Sequence, residues 1–145
     1  MEVLFVSTSD QETREIAKKI LLDLEEGTVI CLYGDLAAGK TTFSQGIAAA
    51  LGISRLTSPT FIIMREYPTN SELISRLYHL DLYRVDSPEE IRAFDLEEII
   101  QDKKNLVIIE WPERIESILP SKRIDIHFKI TDDNEREITI YKRGQ

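Results

Sequence analysis

Apolar and polar positions alternate with a period that changes repeatedly along the chain, and each change predicts an element. VLFVS (3–7) is a short apolar run with β-branched character and reads as a strand. The following STSDQE offers Ser and Asp caps to a helix predicted through ETREIAKKILLDLEEG, where Ile16, Ile20 and Leu24 recur on one face and Gly27 is the expected stop. TVICLYG (28–34) is continuously apolar, the pattern of a strand covered on both faces. GDLAAGKTT then opens a helix in which Phe43, Ile47 and Leu51 share a face and Gly52 ends it.

Beyond that helix, TSPTF (57–61) must begin extended because Pro59 disfavours helix at Ser58, and FIIMREY reads as a strand. LYHLDLYR (77–84) is another, with PTNSE between them suited to a hairpin turn. SPEEIRAF and DLEEIIQD are capped helical segments, LVIIEWP (106–112) is a second strongly apolar strand, and RIDIHFKI and REITIYKR alternate with period two around TDDNE, a hairpin. Helices and strands thus alternate through the first two-thirds, with antiparallel pairs in the middle and at the end. This predicts an α/β fold, a P-loop NTPase-like three-layer domain with a mixed parallel/antiparallel sheet and a C-terminal β-hairpin.

Length, 145 residues, suits a single domain over 1–145. The formal net charge of −8 argues against a surface that grips nucleic acid by itself, since such affinity comes from Lys and Arg against phosphates. The lone cysteine, Cys31, sits among Val29, Ile30 and Leu32 and reads as a buried thiol. MEVLFVSTSD has an acidic second residue and an apolar run too short for a secretory h-region, and no stretch approaches membrane-spanning length, so a cytoplasmic protein away from membranes is expected.

The chain has only six glycines, yet Gly34 and Gly39 stand five apart directly before Lys40. With Thr41 they satisfy G-x-x-x-x-G-K-[ST], in which glycines let backbone N–H groups curl around a phosphate, the lysine reaches the β- and γ-phosphates, the hydroxyl ligates Mg²⁺, and the following helix aims its positive end at the anion. The motif follows an apolar strand and opens a helix, the setting its mechanism requires. Glu110, ending LVIIE, is the acid expected to serve Mg²⁺ or the nucleophile. In YHLDLYR the alternation puts His79, Asp81 and Tyr83 on one face. That face is either solvated or presents Asp81 to water or metal near the γ-phosphate, and His79 reads as structural or surface.

The ordered set GDLAAGKTT, TSPTF, HLDLYR and EWPE closely resembles the TsaE (YjeE) family of bacterial tRNA threonylcarbamoyladenosine synthesis, over residues 28 to about 120. The resemblance implies a weak ATPase using ATP and Mg²⁺ and working with TsaD and TsaB, which modify an adenosine beside the anticodon, so that tRNA is met only indirectly. Carried over by residue, it implies that Asp35, Leu36, Ala37, Ala38, Gly39, Lys40, Thr41 and Thr42 hold the phosphates, that Thr41 and Glu110 serve Mg²⁺, that Thr60 is a switch-type loop residue and that Asp81 is needed for hydrolysis. It places an adenine contact at STSD, through Thr8, although STSD is equally a helix cap. Trp111 pairs with the acid in the family's EW, while packing is the plainer reading. Ala37 stands where the family more often has glycine, a change expected to matter little unless the position needs positive φ. DSPEEIRAFDLEEIIQD, with seven acids against one arginine, reads as a solvated face or as a surface for a basic partner. Two alternatives stay open: a small-molecule kinase, against which no Arg-rich lid appears, and a non-hydrolysing nucleotide-dependent adaptor. A guanine-reading N-K-x-D is missing.

Overall fold

The computed structural model describes residues 2–35, 37–56 and 63–144. Along them run β1 (Glu2–Ser7), α1 (Asp10–Leu22), β2 (Val29–Tyr33), α2 (Lys40–Ala50), β3 (Met64–Pro68), β4 (Arg76–Asp81), α3 (Pro88–Arg92), α4 (Leu96–Gln101), β5 (Asn105–Glu110), a 3₁₀ segment (Pro112–Ile118), β6 (Arg123–Asp132) and β7 (Glu135–Arg143). The strands form one sheet in the order β1-β7-β6-β2-β5-β4-β3.

VICLY and NLVIIE have almost no polar face to turn to water, and both become interior parallel strands: β2 lies between β5 and β6, and β5 between β2 and β4. Their side chains alternate between two apolar layers. Ile30, Leu32, Leu106 and Ile108 pack with Ile16 and Ile20 of α1 and Phe43 and Ile47 of α2. Val29, Cys31, Val107 and Ile109 pack with Ile91 of α3, Leu96 of α4 and Ile115 of the 3₁₀ segment. Helix, sheet and helix make the three layers of the P-loop type of α/β fold. Among the described residues no helix is long and apolar enough to cross a membrane.

Two antiparallel pairs flank the parallel centre. β3 and β4 form the expected hairpin, and β6 and β7 form the C-terminal one, whose inner strand continues the sheet beside β2. β1 crosses to the far edge and pairs antiparallel with β7, which brings Ser7 opposite Arg136. The start and the end of the chain thereby build one side of the sheet together.

Three local expectations are corrected. α1 ends at Leu22, capped at Asp23, whereas Gly27 lies beyond it and donates its N–H to the Lys103 carbonyl at 2.9 Å, so Gly27 shapes the entry to β2 and does not stop the helix. β4 stops at Asp81; Leu82 starts a turn, its carbonyl accepting from Val85 N–H, so Tyr83 is not on the strand face with His79 and Asp81. The strand expected from Phe61 begins at Met64, with Phe61 and Ile62 outside the described residues.

Cys31 is wholly buried, and burial, aided by the Asp125 charge and opposed by Arg123, pushes its thiol from the ordinary 9.0 up to about 12. Above pH 9 the unfolded chain therefore releases a proton that the native state retains. The unfolded state then binds fewer protons, and stability falls with rising pH by up to about 1.4 kcal/mol per unit until about pH 12. Urea melts at pH 8 and pH 10 should show wild type losing about 1 kcal/mol more than Cys31→Ala over that interval; parallel pH profiles would refute the buried-thiol assignment.

Candidate functional site

The turn from β2 into α2 is shaped by what its residues lack. Gly34 adopts φ 150°, and a Cβ there would sit 2.8 Å from the Phe128 carbonyl oxygen of β6. Gly39 is the N-cap of α2 at φ 105°, so no side chain caps the helix, and its first turn carries no acid. The first N–H groups of α2 and the positive end of its dipole are thereby offered to an anion. Ala37 takes φ 66°, a left-handed conformation that costs an L-residue with a Cβ about 1–2 kcal/mol. The condition attached to this position is met: it does need positive φ.

Lys40, the first residue of α2, is buried, with its Nζ donating to the Gly34 carbonyl at 2.6 Å and lying 3.9 Å from the centre of the Trp111 ring. Burial pushes its pKa down, while the carboxylates of Glu110, Glu113, Asp81 and Asp35 push the other way. Trp111 itself has φ 60°, is half-buried, and its ring centroid stands 5.0 Å from that of Tyr83. Its packing and its contact with the ammonium are therefore one arrangement.

Lys40, Trp111 and Tyr83 line a cavity of about 1030 Å³ at the carboxyl ends of β2, β4 and β5. Of the residues singled out from sequence, Thr8, Ala37, Gly39, Lys40, Thr41, Thr42, Asp81 and Glu110 meet on its wall. Asp35 and Ala38 do not: Ala38 is buried in the core and donates its N–H to the Asp35 carbonyl at 3.1 Å. Leu36 and Thr60 lie outside the described residues. In STSD the two readings separate, since Ser9 caps α1 by accepting the Glu12 N–H at 3.0 Å and Thr8 bonds the Glu12 carboxylate from the cavity wall.

Sequence reasoning missed Tyr83 and Arg84, which follow β4, and Asp133, Asn134 and Arg136 at the tip of the C-terminal hairpin. Arg84 was visible as the end of the HLDLYR motif. Arg136 gave no local signal, because the parallel pairing of β6 with β2 is what carries the tip of the β6–β7 hairpin to this end of the sheet.

Glu110 is 4% exposed, and its Oε2 lies 2.6 Å from Nε2 of His79, which is 0% exposed. The face of β4 that carries His79 and Asp81 is therefore not solvated: it turns inward, with Asp81 half-buried in register with Glu110. Asp81 also accepts the Tyr83 N–H at 3.1 Å. The described wall carries the carboxylates of Asp10, Asp81, Glu110 and Asp133 against the cations Lys40, Arg84 and Arg136. Among the described residues no three His, Cys, Asp or Glu side chains gather into a metal cage. A small hard cation would instead find the Thr41 hydroxyl and the Glu110 carboxylate, and a polyphosphate the N-terminus of α2 and Lys40. The acids of α3 and α4, Glu89, Glu90, Glu97 and Glu98, are exposed to solvent.

Ala37→Gly should relieve the left-handed strain by more than the added freedom of the unfolded chain costs, raising the melting temperature by about 2 °C. A drop in calorimetry would show that Ala37 is not strained.

Comparison with known proteins gives a consistent result. The family model "Threonylcarbamoyl adenosine biosynthesis protein TsaE" matches residues 7–138. The chain is 40% identical over 139 residues to the Bacillus subtilis (strain 168) tRNA threonylcarbamoyladenosine biosynthesis protein TsaE, covering 95% of this chain and 84% of that one. The Treponema pallidum (strain Nichols) protein of the same name is 39% identical over 136 residues, covering 93% and 97%. In structure, the chain superposes on the crystal structure of Bacillus subtilis YdiB with a TM-score of 0.83 at 35% identity, over 99% of this chain and 87% of that one.

Proposed function

The chain belongs to the TsaE family, and from that premise we propose that it binds Mg²⁺·ATP and hydrolyses it slowly in the cytoplasm, as the nucleotide-dependent component that acts with TsaD and TsaB in tRNA threonylcarbamoyladenosine biosynthesis. The observation that carries this reading is the convergence of Lys40, Thr41 and Glu110 on one cavity.

The donor set fits Mg²⁺, which takes one or two protein oxygens and completes its shell with water and phosphate oxygens, and does not demand an all-protein cage. Thr41 and Glu110 are the residues that would hold it, and bound Mg²⁺ would offset charge on the β- and γ-phosphates. That offset matters here, because the described wall already carries one more carboxylate than cations. Phosphate enters against the uncapped N–H groups of α2, and the Lys40 ammonium exchanges the Gly34 carbonyl and the Trp111 face for phosphate oxygens. Asp81, in register with Glu110, is the group to orient the attacking water, and Thr60 acts with it as a switch-type residue. Thr8 lines the same cavity and is the residue proposed to meet the base. A chain of net charge −8 meets tRNA through its partners.

The test is ATP turnover by the protein alone and then with TsaD and TsaB. Turnover should be slow alone and rise with the partners, Lys40→Ala should lose ATP binding, and Glu110→Gln should keep nucleotide while losing Mg²⁺-dependent hydrolysis by at least about 10-fold. Unchanged binding and turnover in folded Lys40→Ala removes the reading. Phosphate passed to an added small molecule would indicate a kinase, and binding without turnover in any mixture an adaptor.

A further inference from the structure

His79 stands outside the cavity, yet one of its nitrogens reaches the acid that lines it. The imidazole is wholly buried on the side of β4 that shares the α1 and α2 layer with Leu77, and it is not part of the cavity wall. It cannot act by touching a ligand there. As core packing alone it is a costly choice, because its Nδ1 has no hydrogen-bond partner among the described residues. An aliphatic side chain like those of Leu77 and Ile108 would fill the place without leaving a stranded polar atom.

Backbone register explains what the imidazole achieves. β4 and β5 run parallel with His79 opposite Ile108 and Asp81 opposite Glu110, so His79 lies one diagonal step from Glu110 on the same face. Nε2 then meets Glu110 Oε2 at 2.6 Å, and the tautomer with its hydrogen on Nε2 donates to that oxygen. One carboxylate oxygen is thereby committed to the core, while Glu110 itself remains part of the cavity wall. A glutamate has three side-chain torsions, and an unanchored one at the end of β5 would sample several rotamers.

We propose that His79 is a positioning residue for the nucleotide-metal site: it fixes the Glu110 carboxylate so that one oxygen is held ready for the cation that accompanies the triphosphate. The inference rests on the Mg²⁺·ATP reading above. Outer-shell partners of this kind typically govern metal affinity by about 10–100-fold.

The experiment titrates MgCl₂ into the full-length protein with ATP held at fixed concentration, read by the fluorescence of Trp111, the chain's one tryptophan, and repeats the ATP titration in EDTA. His79→Leu should raise the Mg²⁺ half-saturation by about 10-fold or more while ATP affinity in EDTA stays within about twofold, and His79→Gln, whose amide can donate from nearly the Nε2 position, should return to within about threefold of wild type. Unchanged half-saturation in His79→Leu, or equal impairment in folded His79→Leu and His79→Gln, overturns the proposal. Nitrogen-15 histidine spectra of the wild type provide a readout independent of how the variants fold: an Nε2–H tautomer for His79 is expected, and an Nδ1–H tautomer overturns the proposal. If wild type itself binds no ATP or ignores Mg²⁺, the parent reading falls and takes this one with it; if wild type responds to Mg²⁺ and the variants match it, only the role of His79 falls.

Discussion

The parallel register of β2, β5 and β4 is the constraint on which the site depends. Leu32 lies opposite Glu110, and Glu110 opposite Asp81, so three strands end level and release their next residues at one edge of the sheet. The register is fixed by burial. Val29 to Leu32 and Leu106 to Ile109 are buried on both faces, and a slip of one residue would exchange every side chain between the two helical layers. The same slip would turn Glu110 away from Lys40 and into the layer of α3 and α4. Packing of the apolar strands thus sets the position of the acid relative to the glycine-rich turn.

Polar and strained elements are concentrated at this edge. Lys40, His79 and Glu110 are all nearly sealed from water, and Ala37 and Trp111 both hold left-handed backbone conformations that disfavour residues with a Cβ. Each polar group is partnered at least once: the ammonium by the Gly34 carbonyl and the Trp111 ring, the carboxylate by the imidazole. The Lys40 contacts are the exchangeable ones, since they engage a carbonyl and an aromatic face that an anion can replace. The His79 contact is built between the interior strands β4 and β5. An acid already held in place beside a cation whose contacts an anion can replace is the arrangement that the proposed phosphate site needs.

Much of this could be read from the chain. Continuous apolar runs announced the two interior strands, the spacing of Gly34, Gly39 and Lys40 announced the turn, and the capping serine announced α1. What escaped was non-local. The parallel pairing of β6 with β2 joins distant parts of the chain and carries the hairpin tip with Asn134 and Arg136 to the cavity, and the pairing of β1 with β7 brings Ser7 and Thr8 there. The alternation in HLDLYR correctly put His79 and Asp81 on one face of β4. Whether that face meets water depends on the strand order, which period-two patterning cannot supply. Gly27 was placed at the end of α1 because a glycine after a helical pattern is the usual stop, whereas the helix had already been closed at Asp23 by its own carbonyls.

A crystal structure of the protein with Mg²⁺ and a non-hydrolysable ATP analogue tests the central claim most directly, namely that Lys40, Thr41 and Glu110 form one nucleotide-metal site. The expected result has the Lys40 ammonium withdrawn from the Trp111 face to the β- and γ-phosphates, the cation on the Thr41 hydroxyl with Glu110 in its shell, and the His79 to Glu110 contact unbroken. An analogue bound elsewhere on the molecule, or bound in the cavity with Lys40 still against Trp111, would contradict it.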